Sequence, residues 1–326
     1  MKVLIINRNA NLGFSIQKVF KPVIATLRSR VDLDEIHINR RKSSPIDLIL
    51  NNWQVFRERQ KFEIFHITGH VHEVILALFK SKVVLTVHDL VFIDNEKNPF
   101  VRFYKWLFWL YFPVKIASKV VCISNQTLAN IRKHVSASNL VVIHNAVDEK
   151  YLFVPKQFNL DCPVVLHVGS GWNKNLENTI LAIRGLRCHL RVLGRLRESQ
   201  IKLLEEFKID YSSVTNLTDE EVYQEYINCD IVSFPSIYEG FGMPIIEGQA
   251  VGRPVLTSKI EPLIEVAGEG AQFVDPHSTQ SIRLGFIQLL GSSSLRNELV
   301  EKGLLNVERF RLNRVVDQYL SIYSSI

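Results

Sequence analysis

The sequence predicts an α/β protein built on two doubly wound parallel sheets. Three observations predict it. Short β-branched runs alternate with helical patterns along the chain, the alternation pauses once at Glu149–Cys162, and it then resumes in the same form. With 326 residues, 47% of them apolar, there is enough hydrophobic matter for two cores. The same composition excludes a disordered tail protein, and 15 glycines and 11 prolines without a strict period exclude extended low-complexity architectures.

In the first half, strands are expected at Val3–Ile6, Glu35–Ile38, Ile64–Thr68, Val83–Val87, Val120–Ser124 and Val141–His144. The first of these is too short for a signal peptide before Asn7-Arg8-Asn9 interrupts it, so it reads as a strand. Ile16, Val19, Phe20, Val23, Ile24 and Leu27 then recur at helical spacing, and Pro22 in their middle is expected to kink that helix.

The second round places strands at Val164–Val168, Leu190–Leu193, Ile231–Phe234 and Val255–Ser258, with helices at about Leu176–Leu186, Thr218–Cys229 and Pro244–Val251. Thr218 and Glu221 spell a capping box, and Pro244 and Gly252 bracket the next helix from its first position to just past its end. Asn306–Ile326 reads as one further helix through Val307, Phe310, Val315, Tyr319 and Ile322. The domains expected are therefore residues 1–155, residues 156–305, and a C-terminal helix at 306–326 that returns to the first domain.

Ligands of such sheets sit beyond the carboxyl ends of the strands, so the strand-end loops are the candidates for chemistry. The densest is the segment SIYEGFGMPIIE, residues 236–247, which follows the buried strand IVSF. Gly240 and Gly242 let backbone approach a ligand, and Pro244 opens a helix whose unpaired N–H groups favour a phosphate. Glu239 and Glu247 border this anion cradle, where carboxylates are suited to sugar or ribose hydroxyls rather than to the phosphate itself. The segment HVGSGWNKNL, residues 167–176, repeats the pattern of strand end, glycines and helix start, with Lys174 adding a full positive charge. In the first half, His88 and Asp89 stand at the end of the run VVLTV.

These segments resemble the retaining glycosyltransferases of family four, also called group one, most specifically over Val164–Pro276. The family's two glutamates, with seven residues between them, match Glu239 and Glu247. The resemblance implies the GT-B fold, two Rossmann-like domains facing across a cleft, and transfer of a sugar from a nucleotide diphosphate to a hydroxyl with retention. It assigns Glu239 to the donor sugar and Glu247 to the ribose, and brings the backbone of Gly240, Phe241, Gly242 and Met243 to the sugar and diphosphate. Lys174 matches the lysine that grips the diphosphate, and Gly169 the glycine before it. Many members carry an arginine where this chain has Ser170, a charge that Arg195 at the next strand end is expected to supply. His88 matches the family histidine that faces the sugar, and Gly13 the glycine loop of the first strand. Ser124 and Asn145-Ala146-Val147-Asp148 are further landmarks, with Ala146 where glycine is usual.

His88, Glu239 and Lys174 are thus the expected catalytic residues, with the nucleotide sugar as co-substrate and neither cofactor nor metal. Asp32-Leu33-Asp34 spells a metal-binding D-x-D but lies before a strand, at its wrong end. His70-Val71-His72-Glu73 could suggest zinc, yet i and i+2 on a helix do not face each other. The expected acceptor is a saccharide or a lipid-linked saccharide of surface polysaccharide or glycolipid assembly.

Four cysteines without a CxxC pair fit a reducing cytoplasm. Phe100–Pro113 is too short to span a bilayer and reads as core, with peripheral contact at the inner membrane face through Trp106 and Trp109 as its functional alternative. The excess of 39 Lys+Arg over 33 Asp+Glu favours anionic partners, but the basic residues are scattered, with Arg40-Arg41-Lys42 the longest run, and no nucleic-acid motif appears. A nucleotide-sugar 2-epimerase of the same fold is the alternative chemistry.

Overall fold

A computed structural model describes residues 1–9, 14–39 and 44–326, so Gly13 and the run Arg40-Arg41-Lys42 lie outside the described residues. The chain forms two compact units, Met1–Ala146 with Leu312–Ile326, and Val147–Arg311.

The first unit holds a six-stranded sheet of β1 (Lys2–Asn7), β2 (Asp32–His37), β3 (Ile64–Ile67), β4 (Lys82–Val87), β5 (Lys119–Cys122) and β6 (Leu140–Val142), in the order β2-β1-β3-β4-β5-β6. Each neighbouring pair is parallel. Parallel strands must be covered on both faces, which is why Val3–Ile6 and Val83–Val87 are buried and almost wholly apolar. Leu4 and Ile6 pack on one side with Val55, Val74, Leu110 and Val114. Val3 and Ile5 pack on the other with Phe20, Val23, Val315 and Tyr319.

That second layer includes helices Phe14–Arg28, which runs on through Pro22, and Leu312–Ser325. Buried His66 on β3 anchors the latter, with Nδ1 2.6 Å from the Tyr323 hydroxyl and Nε2 2.8 Å from Thr86 Oγ1. The expected single helix over Asn306–Ile326 is broken. Helix Ser293–Val307 is followed by a 3₁₀ turn at Glu308–Phe310, and the chain is extended at Arg311, which bridges Val147. Phe310 causes the break: its ring is fully buried, edge-on to Phe241, and its carbonyl accepts the Val147 N–H at 2.9 Å.

The second unit carries β7 (Val164–Val168), β8 (His189–Leu193), β9 (Tyr211–Val214), β10 (Ile231–Phe234), β11 (Val255–Ser258) and β12 (Ala271–Val274), all parallel, in the order β12-β11-β10-β7-β8-β9. The strand order reverses between β7 and β10, and between β1 and β3 in the first unit. At such a switch point the loops leaving two adjacent strands diverge to opposite faces and leave a crevice. Thr218 caps helix Asp219–Asn228 with the reciprocal Glu221 bond of a capping box.

Two sequence expectations in this frame need correction. Asp32 and Asp34 are inside edge strand β2, not before it, with both carboxylates on its exposed side. The rings of His70 and His72 do face each other, 6.0 Å apart and nearly parallel, because His70 lies before the 3₁₀ helix His72–Leu78 rather than on it. Within Phe100–Pro113 the environment splits. Trp109 and Leu110 are core, whereas Phe100 and Phe103 are 84% and 61% exposed, so Trp109 cannot serve a surface contact.

Candidate active site

The loops leaving β7 and β10, at the reversal point of the second sheet, carry Lys174 and Glu239. After β7 the backbone turns at Gly169, whose φ of +93° favours glycine, and a Cβ there would meet Lys174 Cγ at 2.9 Å. Glycine is therefore what lets the lysine chain fold back over the strand end. A 3₁₀ turn at Trp172–Lys174 ends in left-handed Asn175. That conformation is stabilised by two Nδ2–H bonds, to the carbonyls of Pro235 at 2.9 Å and Pro276 at 2.7 Å.

Both loops are stitched together. Ile237 N–H donates to the Asn173 carbonyl at 2.8 Å, and Asn173 Nδ2 donates to the Tyr238 carbonyl at 3.1 Å and to Glu239 Oε1 at 3.3 Å. Lys174 Nζ donates to the same Glu239 Oε1 at 2.6 Å, with the two side chains 24% and 13% exposed, and stands 4.6 Å from the Phe234 ring centroid. An ammonium so held keeps two of its three donors for another ligand, and Glu239 keeps Oε2 outside both of these bonds.

Beyond Glu239 the chain enters helix Met243–Ala250, with Pro244 at its second position rather than its first. Its N-cap is Gly242 at φ +114°, where a Cβ would lie 2.7 Å from Leu263 Cδ2. No side chain caps this end. Within the first turn Pro244 has no N–H and the Ile245 N–H donates to the Gly242 carbonyl at 3.0 Å, so the Met243 amide and the positive end of the helix dipole are what favour an anion here.

Glu247, one turn into the helix, is buried and accepts the Tyr226 hydroxyl at 2.6 Å. Burial and the nearby carboxylate push the Tyr226 phenol well above its ordinary value, so it stays a donor. Tyr151, buried edge-on against Tyr226 at 5.6 Å, is pushed up by burial and by the same carboxylate. These two tyrosines come from remote segments and carry no local motif, so the sequence offered no signal for them. Phe241 is core, packed on Phe310, and the side chain of Met243 is half-buried.

Arg195 follows β8. Its carbonyl accepts the Ser170 hydroxyl at 2.6 Å, so the structure brings the serine and the arginine loops together. Arg195 is exposed and lines a cavity of about 640 Å³ with Leu193, Gly194, Thr215 and Asn216.

In the first unit His88 follows β4 and is buried, with Nε2 2.8 Å from the Thr68 carbonyl. A carbonyl accepts only, so Nε2 bears the proton and Nδ1 is the acceptor atom. Burial, then the neighbouring His70, hold its pKa down to about 3. His88 is neutral and offers no charge to a phosphate. Gly13 is outside the described residues, and no group of three or more His, Cys, Asp or Glu that could hold a metal occurs among the described residues.

Comparison with known proteins gives matches over both units. The model of the glycosyl transferases group 1 family matches residues 148–305, and that of glycosyltransferase family 4 matches residues 22–151. The chain is 31% identical over 105 residues to an Escherichia coli O-antigen chain mannosyltransferase B, a match spanning 32% of this chain and 28% of that protein. It is 25% identical over 294 residues to an MMP alpha-(1->4)-mannosyltransferase of Mycolicibacterium hassiacum, covering 81% of this chain and 71% of the relative. Among solved structures, Anabaena HepE in complex with UDP and glucose superposes with a TM-score of 0.81 at 14% identity, over the whole of both chains.

Proposed function

The chain belongs to the group 1 glycosyltransferases and has the GT-B fold, and from that premise we propose that it moves a hexosyl unit from a nucleoside-diphosphate sugar to a hydroxyl, with retention at the anomeric carbon. One observation carries the reading. Lys174 and Glu239 meet at 2.6 Å beside the uncapped start of helix Met243–Ala250, which supports a diphosphate held by the ammonium and the helix start, with carboxylate oxygen turned to sugar hydroxyls.

In the proposed step the bond between the anomeric carbon and the diphosphate oxygen breaks, the acceptor oxygen bonds to that carbon on the same face, and the leaving phosphate takes the acceptor's proton. Negative charge grows on the diphosphate, so stabilisation is mostly electrostatic. Lys174 supplies a charge, the helix amides supply dipoles, and Arg195 supplies the charge missing at Ser170. Glu239 holds sugar hydroxyls, and Glu247, oriented by Tyr226, holds the ribose. His88 accepts a sugar hydroxyl at Nδ1. The proposed step invokes no metal or other cofactor, since the lysine and the helix start are the groups assigned to the leaving diphosphate.

The two relatives compared above are mannosyltransferases by name, which supports a mannosyl donor, and an O-antigen enzyme among them supports a saccharide or lipid-linked acceptor in surface polysaccharide assembly. Work on a lipid-linked acceptor would place the enzyme in the cytoplasm at the inner membrane face, with Phe100 and Phe103 of the Phe100–Pro113 segment as its exposed contact.

Thermal-shift titration against UDP, GDP, ADP and TDP, each free and as its hexose conjugate, tests the donor. Raised melting temperature with one nucleotide series supports the reading, since a ligand that binds only the folded chain stabilises it. No shift with any diphosphate would overturn it. Conversion of a nucleotide sugar without acceptor would instead identify an epimerase.

A further inference from the structure

Helix Pro45–Phe56 in the first unit is amphipathic the wrong way round. Its inward side carries Asp47, Asn51 and Val55, all buried. Asp47 is bonded to its cap Ser44, and Asn51 Nδ2 lies 3.4 Å from Glu73 Oε1. Its outward side carries Ile46, Ile49, Leu50, Trp53 and Phe56, between 38% and 68% exposed, at positions i, i+3, i+4, i+7 and i+10. A stripe of this length left in water is a binding surface rather than a core that failed to close.

Its surroundings are basic. Arg57 and Arg59 follow the helix directly. Arg57, Arg59, Lys80 and Lys82 line a cavity of about 820 Å³ at the Trp53–Phe56 end, which Glu63 shares, and the Trp53 and Phe56 rings are stacked there at 5.9 Å. The helix also covers the same face of the sheet as the segment following Phe100 and Phe103, since Val55 and Leu110 share one core. Apolar residues outward, an aromatic pair at the end of the stripe and cations around it match the headgroup region of an anionic bilayer in both polarity and charge.

We propose that helix Pro45–Phe56 docks this unit on an anionic lipid surface, with Ile46, Ile49, Leu50, Trp53 and Phe56 entering the acyl boundary and the flanking arginines and lysines meeting lipid phosphates. The assignment stands on this face alone and does not rest on the donor reading above.

Co-sedimentation of the full chain with phosphatidylglycerol–phosphatidylcholine vesicles tests it, with pure phosphatidylcholine vesicles as the neutral comparison. Wild type is expected to favour the anionic vesicles and to detach as salt rises. Ile49→Glu with Trp53→Glu is expected to lose about 30-fold or more in partitioning, and Arg57→Glu with Lys80→Glu about tenfold at low salt. Both pairs are exposed, and an unchanged melting temperature and nucleotide-induced shift show that the variants fold and that the donor site is separate. Binding by the Ile49→Glu, Trp53→Glu variant equal to wild type, indifference to lipid charge, or a wild-type dimer that the same variant splits would each overturn the proposal, the last by making a second copy the occupant.

Discussion

Two carboxylates of the candidate site sit in different surroundings, and the difference has consequences. Glu239 is bonded to an ammonium and a side-chain amide in a loop, whereas Glu247 is buried in a helix under a tyrosine hydroxyl. Glu247→Ala is expected to weaken binding of the free nucleotide, by about 10-fold for one lost charged hydrogen bond, while Glu239→Ala mainly lowers turnover. Calorimetric titration with nucleoside diphosphate alongside kcat for both variants checks this, and equal losses of nucleotide affinity would contradict the assignment. Tyr226→Phe should reproduce part of the Glu247 defect, because a buried carboxylate oxygen then loses its donor at 2.6 Å. At this scale the sequence was most informative where spacing is local. Glu239, Gly242 and Glu247 lie within one short segment, but Tyr151 and Tyr226 reach Glu247 only through tertiary folding.

The helices differ in how their starts are made. Helix Asp219–Asn228 is closed by the Thr218 hydroxyl, which accepts the Glu221 N–H at 3.2 Å, and Thr218→Ala is expected to cost about 1 kcal/mol in urea unfolding. Helix Met243–Ala250 has glycine there instead, and Gly242→Ala combines positive φ with a 2.7 Å approach to Leu263. That variant should lose about 1–3 kcal/mol of stability together with diphosphate affinity, and a fully stable variant with wild-type affinity would contradict the role given to this turn.

Element boundaries were legible where chemistry is local and lost where tertiary context rules. Val164–Val168, Ile231–Phe234 and Val255–Ser258 were readable as apolar runs because each is central and covered on both faces. Tyr211–Val214 and Ala271–Val274 were not, since they are edge strands, half-buried and partly polar. Helix Leu176–Ile183 stops short of Leu186 because Gly185 takes a positive φ of 71°. Helix Pro45–Phe56 carries an apolar stripe at helical spacing that in sequence is indistinguishable from a core face, and only tertiary folding turns that side outward.

At the scale of the molecule, stability should depend on pH through histidines that are buried and neutral. His66, His72 and His88 in the first unit and His167 in the second are each held down to about 3 by burial. Unfolded, they bind protons below about 6.5. The folded chain binds fewer, so their contribution is complete above that value and lost as pH falls toward 3, at about 1.4 kcal/mol per unit for each group. Glu73 has the opposite sign: burial pushes it up to about 7, so its contribution fades as pH rises through that range. Four such groups against one leaves the histidines dominant, and the urea midpoint is expected to be lower at pH 5 than at pH 7. Equal midpoints would show that these imidazoles are not neutral in the folded chain.

The candidate site rests on both layers of this organisation, a strand-order reversal that opens the crevice and a short list of residues that charge it. Its charge centres on Lys174, assigned to grip a diphosphate. Affinity for a nucleoside diphosphate and for the matching monophosphate, measured by titration in wild type and in Lys174→Ala, tests that grip. Wild type should prefer the diphosphate, and the variant should lose about 10- to 100-fold of diphosphate affinity while binding the monophosphate nearly as before. A Lys174→Ala protein that binds the diphosphate as tightly as wild type would contradict it.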